Sequence, residues 1–202
     1  MQKVLATIFS VVFHPIFMPV YGLLILFNSG TFISYLPYDV KKFIFLIILI
    51  STVILPLSFV PFYLYRKIIR NVHMDSHRER IIPLLLTTVF FYLGYILLNK
   101  SQLPEILKSY MLASASAVFL AMIVSLKWKI SLHMLGIGGL IGAVLVFSFR
   151  LMVDLTTIWM ILILIAGLVG YARLQLKIHN PAQVYIGFSL GLASVSGVLL
   201  IT

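Results

Sequence analysis

Long apolar runs separated by short polar gaps constrain the fold of this chain more than any other feature. A membrane-spanning helix needs about 20 apolar residues, and its backbone must satisfy its hydrogen bonds internally. The chain is 62% hydrophobic and only 10% charged, with a mean hydropathy of +1.14. A water-soluble domain cannot cover so much apolar surface. The sequence therefore predicts one integral membrane domain over residues 1–202, an all-α, polytopic transmembrane helical bundle.

The pattern predicts six or seven membrane-spanning helices. After a first apolar segment, the predicted spans are residues 42–65, 81–98, 109–126, 132–149, 156–172 and 181–201. Pro56 and Pro61 are expected to kink the first of these six, because proline removes a backbone donor. Repeated glycines in the two spans that begin at residues 132 and 181 are typical of close helix packing.

The first apolar segment, residues 4–28, is interrupted by His14-Pro15 and allows two interpretations. In one, it is a single kinked span with His14 near its middle, as a satisfied buried polar group. In the other, residues 3–13 form an interfacial helix, and a span capped by His14 at the membrane surface begins at Pro15 and runs to about Tyr35. In both cases the third, fifth and seventh spans begin on the same face of the membrane.

The net charge of +10 suits contact with anionic lipid headgroups or a phosphorylated substrate. No basic domain lies outside the predicted membrane region, so we expect no nucleic-acid partner. The absence of cysteine excludes disulfides, thiolate nucleophiles and cysteine-based metal sites. Ten lysines and arginines fall on the face where spans three, five and seven begin, and five on the other. The positive-inside rule places that face in the cytoplasm, but three of the ten are candidate phosphate ligands, so the orientation stays open.

Two predicted helix starts carry polar residues that suit an anion. His179 directly precedes Asn180-Pro181, which are predicted to be the N-cap and the first residue of a helix. Because a helix N-terminus presents unpaired N–H groups and a positive dipole end, it attracts anions. Gln183 lies one turn after His179, where its carbonyl can accept the ring N–H. Ser131 is a predicted N-cap of the fifth span, a role compatible with a phosphate contact.

These polar residues resemble motifs of the type 2 phosphatidic acid phosphatase family. The spacing Arg173-x5-His179, in the polar gap before the last span, resembles the third motif, in which arginine precedes the nucleophilic histidine by six positions. Ser131-Leu132-His133 resembles the second motif, Ser-Gly-His, with leucine in place of glycine.

The resemblance covers residues 66–200, and besides Leu132 it departs from the family pattern at three further places. The basic segment before the third span offers Arg78 and Arg80 without the family's spacing of lysine, six residues and Arg-Pro. Ala172 stands where the family has serine before the motif arginine. Gln183 stands where an aspartate is expected after the nucleophile.

The resemblance implies a metal-independent lipid-phosphate phosphatase that needs no cofactor and passes through a phosphohistidine. His179 would be the nucleophile and His133 the general acid, while Arg173, with Arg78 or Arg80, would hold the phosphate oxygens. The candidate catalytic residues are His179, His133 and Arg173, and the candidate substrate-binding residues are Arg78, Arg80, Ser131 and Gln183. The expected partners are a phosphorylated lipid substrate and membrane lipids, and the expected location is the inner membrane of a bacterium. The oligomeric state stays open.

Other functions remain as alternatives. Because Gln183 cannot neutralise the charge that develops on His179, the chain is alternatively a weak or inactive relative that binds phosphorylated lipids. A small transporter is less favoured, since ionisable residues are scarce within the spans. The pattern His73-x-Asp75-x-His77 is a weak metal signal on a loop without further ligands.

Overall fold

Residues 2–72, 74 and 76–202 are described by the computed structural model, and they form helices joined by turns and loops, with no β-strand among them. Among these described residues, seven segments are long and apolar enough to cross a membrane: Ala6–Phe27, Tyr38–Tyr65, Arg78–Asn99, Glu105–Ser125, Leu132–Arg150, Thr156–Gln175 and Pro181–Ile201. The predicted all-α transmembrane bundle is thus confirmed, with seven candidate spans rather than six.

The α-helices of the described residues follow the apolar runs. They are α1 (Gln2–Val12), α2 (Met18–Phe27), α3 (Tyr38–Leu49), α4 (Leu55–Ser58), α5 (Val60–Tyr65), α6 (Ile81–Asn99), α7 (Glu105–Ser125), α8 (Leu132–Arg150), α9 (Thr156–Gln175) and α10 (Pro181–Ile201). Short 3-10 turns precede α2, α3 and α6.

The first segment breaks at His14-Pro15, where α1 ends and a 3-10 turn over Pro15–Phe17 leads into α2. The hydroxyl of Tyr21 donates to the Val12 carbonyl at 2.8 Å, which satisfies an acceptor that the end of α1 would otherwise leave unpaired. His14 lies beside α8, because Pro15 packs against Gly136 in the first turns of that helix.

The predicted continuation of this span to about Tyr35 is wrong. Helix α2 ends at Phe27, and Gly30 follows with a φ of +73°. That left-handed conformation is open to glycine but interrupts a right-handed helix. A separate 3-10 turn over Phe32–Tyr35 then leads towards α3.

The helix of the second span is interrupted near Pro56 and Pro61, where the sequence predicts kinks. A π-helical stretch over Ile50–Ile54 separates α3 from α4, in which Pro56 is the second residue. A second break at Phe59 separates α4 from α5, two residues before Pro61. Within this stretch the Thr52 hydroxyl donates to the Ile48 carbonyl at 2.7 Å, a side-chain bond to the carbonyl four residues earlier that is common where a helix bends.

Two predicted helix boundaries are wrong at their polar ends. Helix α7 begins at Glu105 rather than about residue 109, and Lys108 pairs with Glu105 at 2.7 Å one turn along the helix. Helix α9 runs to Gln175, so Arg173 lies in its last turn and not in the polar gap. A cation is favourable at that end of the helix dipole.

Helices α8 and α10 form a close parallel pair. Gly187 lies against the Ser131 backbone and Gly191 against the Leu135 carbonyl, where neither position has room for a side chain. At the far end Arg150 donates to the Leu199 carbonyl at 2.7 Å. The expected role of these glycines in helix packing is confirmed, and the two helices begin at the same end of the molecule.

Candidate functional site

Three connecting segments meet at the end of the bundle where α6, α8 and α10 begin. The Ser131 N–H donates to the Gln183 carbonyl at 3.1 Å, which joins the starts of α8 and α10. Arg80 donates to the Ile130 carbonyl at 2.9 Å, which joins the start of α6 to the segment before α8. The three helix N-termini therefore lie at one end, as the alternation of spans predicts. We call this the motif end.

His179 is held at the motif end by the cap of α10. Asn180 accepts a hydrogen bond from the Gln183 N–H at 2.9 Å, and the Gln183 side chain closes the capping box by accepting from the Asn180 N–H at 3.3 Å. The same Gln183 carbonyl oxygen lies 2.9 Å from Nδ1 of His179. Because that oxygen only accepts, Nδ1 carries the proton and Nε2 presents a lone pair.

The environment of His179 favours its neutral form. The residue is 9% exposed, and its pKa is lowered from 6.5 to about 4, mainly by burial and against the opposite influence of the Gln183 hydrogen bond. The positive charges of Arg80, Lys129 and Arg173 contribute to this lowering of the pKa. Near neutral pH the imidazole therefore keeps the unprotonated nitrogen that a nucleophile needs.

Arg173 is buried beside the histidines with part of its guanidinium unsatisfied. It is 7% exposed, and its Nε finds no hydrogen-bond partner within the described residues. Its charge acts on the rings of His179, His133 and His14. A buried unpaired polar group costs about 1–3 kcal/mol, and an anion bound here would remove that cost.

His133 and His14 form a histidine pair that the sequence does not reveal. Nε2 of His133 donates to the Ser10 carbonyl of α1 at 3.0 Å, and the two ring centroids lie 5.2 Å apart, edge to face. From the sequence, His14 is either a satisfied buried polar residue or the cap of a span, and nothing pairs it with His133. More than a hundred residues separate it from His133, so sequence spacing could not place the two together.

Arg80 and Arg78 are both candidate phosphate ligands from the sequence, but they differ in position. Arg80 is 5% exposed, and in addition to its bond to Ile130 it donates to the Met74 carbonyl at 3.1 Å. Arg78 is exposed. The charge of Arg80 acts on the His179 ring, so Arg80 is the arginine of this pair that lies near His179.

Ser131 is a structural cap. Its hydroxyl accepts from the Met134 N–H at 3.4 Å, and the residue is fully buried. The predicted N-cap is confirmed, and its backbone bond to the Gln183 carbonyl fixes α8 against α10.

An apolar cavity of about 180 Å³ adjoins the motif end. It lies between the turn before α2, the helices α4 to α8 and the loop before α6, and its wall includes Leu84, Phe91 and Val118. His14 and Arg80 lie in the same wall, so the cavity reaches the basic residues of the motif end.

The described residues contain no group of three metal-ligating side chains. His73 and Asp75, two members of the weak metal pattern, lie outside the described residues. Comparison with protein-family models, with curated proteins and with solved structures finds no match to this chain.

Proposed function

We propose that this integral membrane protein is a lipid-phosphate phosphatase that transfers the phosphoryl group to His179. The observation that carries the proposal is the convergence of His133, His179, Arg80 and Arg173 from four segments at one end of the bundle. Two of these are buried cations, and a phosphate dianion is the ligand that matches them. The resemblance to type 2 phosphatidic acid phosphatases supports a mechanism through a phosphohistidine. An inner bacterial membrane is the expected location.

The first chemical step uses the lone pair of His179. Nε2 attacks phosphorus, the bond from phosphorus to the lipid oxygen breaks, and that oxygen leaves with the electron pair. Its proton comes from Nδ1 of His133, because Nε2 of that ring already donates to the Ser10 carbonyl. His133 must therefore enter the step as an imidazolium and end it neutral. The charges of Arg173 and Arg80 stabilise the transferring phosphoryl oxygens.

The second step regenerates the free imidazole of His179. Water attacks the phosphorus of phosphorylated His179 and gives its proton to Nδ1 of His133. The P–N bond breaks, its electron pair returns to Nε2, and inorganic phosphate leaves. Gln183 holds Nδ1–H in both steps, so the ring keeps one orientation throughout.

Substitution of the nucleophile tests this function. The purified wild type should release phosphate from phosphatidic acid, phosphatidylglycerophosphate or a polyprenyl diphosphate, and His179→Ala should lose more than about 10³-fold in rate. A brief reaction with ³²P-labelled lipid phosphate should leave alkali-stable label on the wild type alone. Equal phosphate release by the two proteins would reject His179 as the nucleophile.

A protein that binds phosphorylated lipids without turnover is the second candidate, and Gln183 favours it. An amide orients Nδ1–H but supplies no negative charge, and the comparable Asp→Asn change in a serine protease costs about 10⁴ in rate. Gln183→Glu keeps the same oxygen position and a capping-box residue while adding the charge. We expect this variant to exceed the wild type in phosphate release. If the wild type already turns over at enzyme-like rates and the variant is no faster, the binding-only function is excluded.

A further inference from the structure

The apolar cavity suits a hydrocarbon chain rather than water. Its volume of about 180 Å³ is similar to that of an engineered apolar cavity of about 150 Å³ that stays dry and binds benzene. Side chains such as Ile16, Leu84 and Leu135 offer no polar partner across most of its wall. A buried water needs two to four such partners.

His14 and Arg80 lie at the boundary between this cavity and the motif end. Both residues line the cavity, the charge of Arg80 acts on His179, and the ring of His14 contacts His133. A ligand with its phosphate at the motif end and its chain in the cavity must cross this boundary. The ester oxygen joins the two parts, so in such a ligand it would lie at this boundary, where His14 lies.

A hydrogen bond from the Ile16 backbone sets the tautomer of the His14 ring. Its Nδ1 accepts the Ile16 N–H at 3.3 Å as the cap of the turn before α2. An accepting Nδ1 leaves the ring proton on Nε2. His14 is therefore a neutral hydrogen-bond donor and not a proton source.

We propose that Nε2–H of His14 donates a hydrogen bond to the ester oxygen of a phosphorylated lipid whose single hydrocarbon chain occupies the cavity. The proposal rests on the proposed function and extends it with a further catalytic residue and a substrate class. As the bond between phosphorus and this oxygen breaks, negative charge grows on the oxygen, and the His14 donor stabilises it until His133 delivers its proton. This stabilisation should accelerate the reaction most when the alcohol is a poor leaving group.

Two single-chain substrates separate this role from a structural one. Dodecyl phosphate releases an aliphatic alcohol, whereas 4-octylphenyl phosphate releases a phenol that leaves readily without assistance. His14→Asn keeps a good cap for Ile16 and removes the Nε2 donor. We expect kcat for dodecyl phosphate to fall about 100-fold or more, and kcat for 4-octylphenyl phosphate to fall far less. Equal losses with both substrates, or no loss with either, would overturn the role.

His77→Asn is the matched histidine control. The His77 ring donates to the Ser125 carbonyl at 2.9 Å at the same end of the bundle, but it does not line the cavity. Any loss caused by this variant should be the same for both substrates.

A matched threonine pair tests the position of the chain. Thr87 lines the cavity, and its neighbour Thr88 does not. Both are half-buried on α6, and each donates to the carbonyl four residues earlier. Thr87→Phe should raise KM for dodecyl phosphate about tenfold, and Thr88→Phe should leave it unchanged. Equal KM values in the two variants would place the chain elsewhere.

A wild type that hydrolyses neither substrate would contradict the proposed function but would still allow this inference to be tested by binding. In calorimetry, His14→Asn and Thr87→Phe should each weaken dodecyl phosphate binding about tenfold and leave inorganic phosphate binding unchanged. Unaltered binding of dodecyl phosphate by both variants would overturn the inference.

Discussion

At the scale of single residues, the state of His179 decides whether the motif end can act as a nucleophilic site. The ring combines burial, nearby cations and a hydrogen bond to Gln183. Burial and the cations disfavour the protonated form, and the hydrogen bond selects the tautomer. These influences together leave Nε2 unprotonated over the whole physiological pH range.

The titration of His179 should therefore be strongly displaced. We expect histidine ring ¹⁵N NMR of the protein in detergent to show the Nδ1–H tautomer at neutral pH and protonation only near pH 4. The unfolded ring takes up its proton near pH 6.5, so acidification between these values should progressively lower the free energy of unfolding. His179→Gln should remove that part of the pH dependence. Titration of the His179 ring near pH 6.5 would contradict this account.

The sequence predicted part of the site because part of it is local. His179, Asn180 and Gln183 lie within one helical turn, so their shared hydrogen bonds follow from spacing alone. The contact between His14 and His133 depends instead on how α1 and α2 pack against α8. A local pattern carries no information about such a contact.

At the scale of elements, the boundaries of the apolar runs were predictable and the polar helix ends were not. The prolines of the second span and the start of α6 at Ile81 lie where the sequence placed them. Glu105 and Lys108 were expected in a connection, yet their ion pair lies within α7. A side-chain pair that satisfies its own charge lets a helix extend beyond its apolar segment.

The α8–α10 interface makes a prediction at this scale. Gly191→Ala would place a Cβ against the Leu135 carbonyl, which is backbone and cannot move unless the helices separate. We expect a loss of about 1–3 kcal/mol in the free energy of unfolding, measured by denaturation with sodium dodecyl sulfate in mixed micelles.

Gly197→Ala, on the same helix, is the control for this prediction. A Cβ at that position meets nothing within 4 Å, so the substitution should be neutral or slightly stabilising, because alanine favours a helix more than glycine does. Similar losses in the two variants would indicate a helix-propensity effect and exclude close packing as the cause.

At the scale of the whole molecule, the site exists only because alternating spans return to the same face. Each of α6, α8 and α10 begins at the motif end after an intervening helix has crossed the bundle. At the opposite end, Phe32, Glu105 and Arg150 line one shared depression. Contacts at both ends are thus consistent with helices that cross the bundle in alternating directions. If one helix between α6 and α10 did not cross, the basic residues of the motif end would lie on opposite faces.

Cysteine labelling can test this topology directly, because the chain has no native cysteine. Arg66, Lys127 and Lys100 are exposed on connections, the first two at the motif end and the third at the opposite end. A membrane-impermeant maleimide applied to intact cells should label either the pair Arg66→Cys and Lys127→Cys or Lys100→Cys alone, and permeabilised cells should show all three. If Lys127→Cys and Lys100→Cys were labelled from the same side, α7 would not cross the membrane. His133 and Arg80 would then lie on opposite faces, and one phosphate could not contact both.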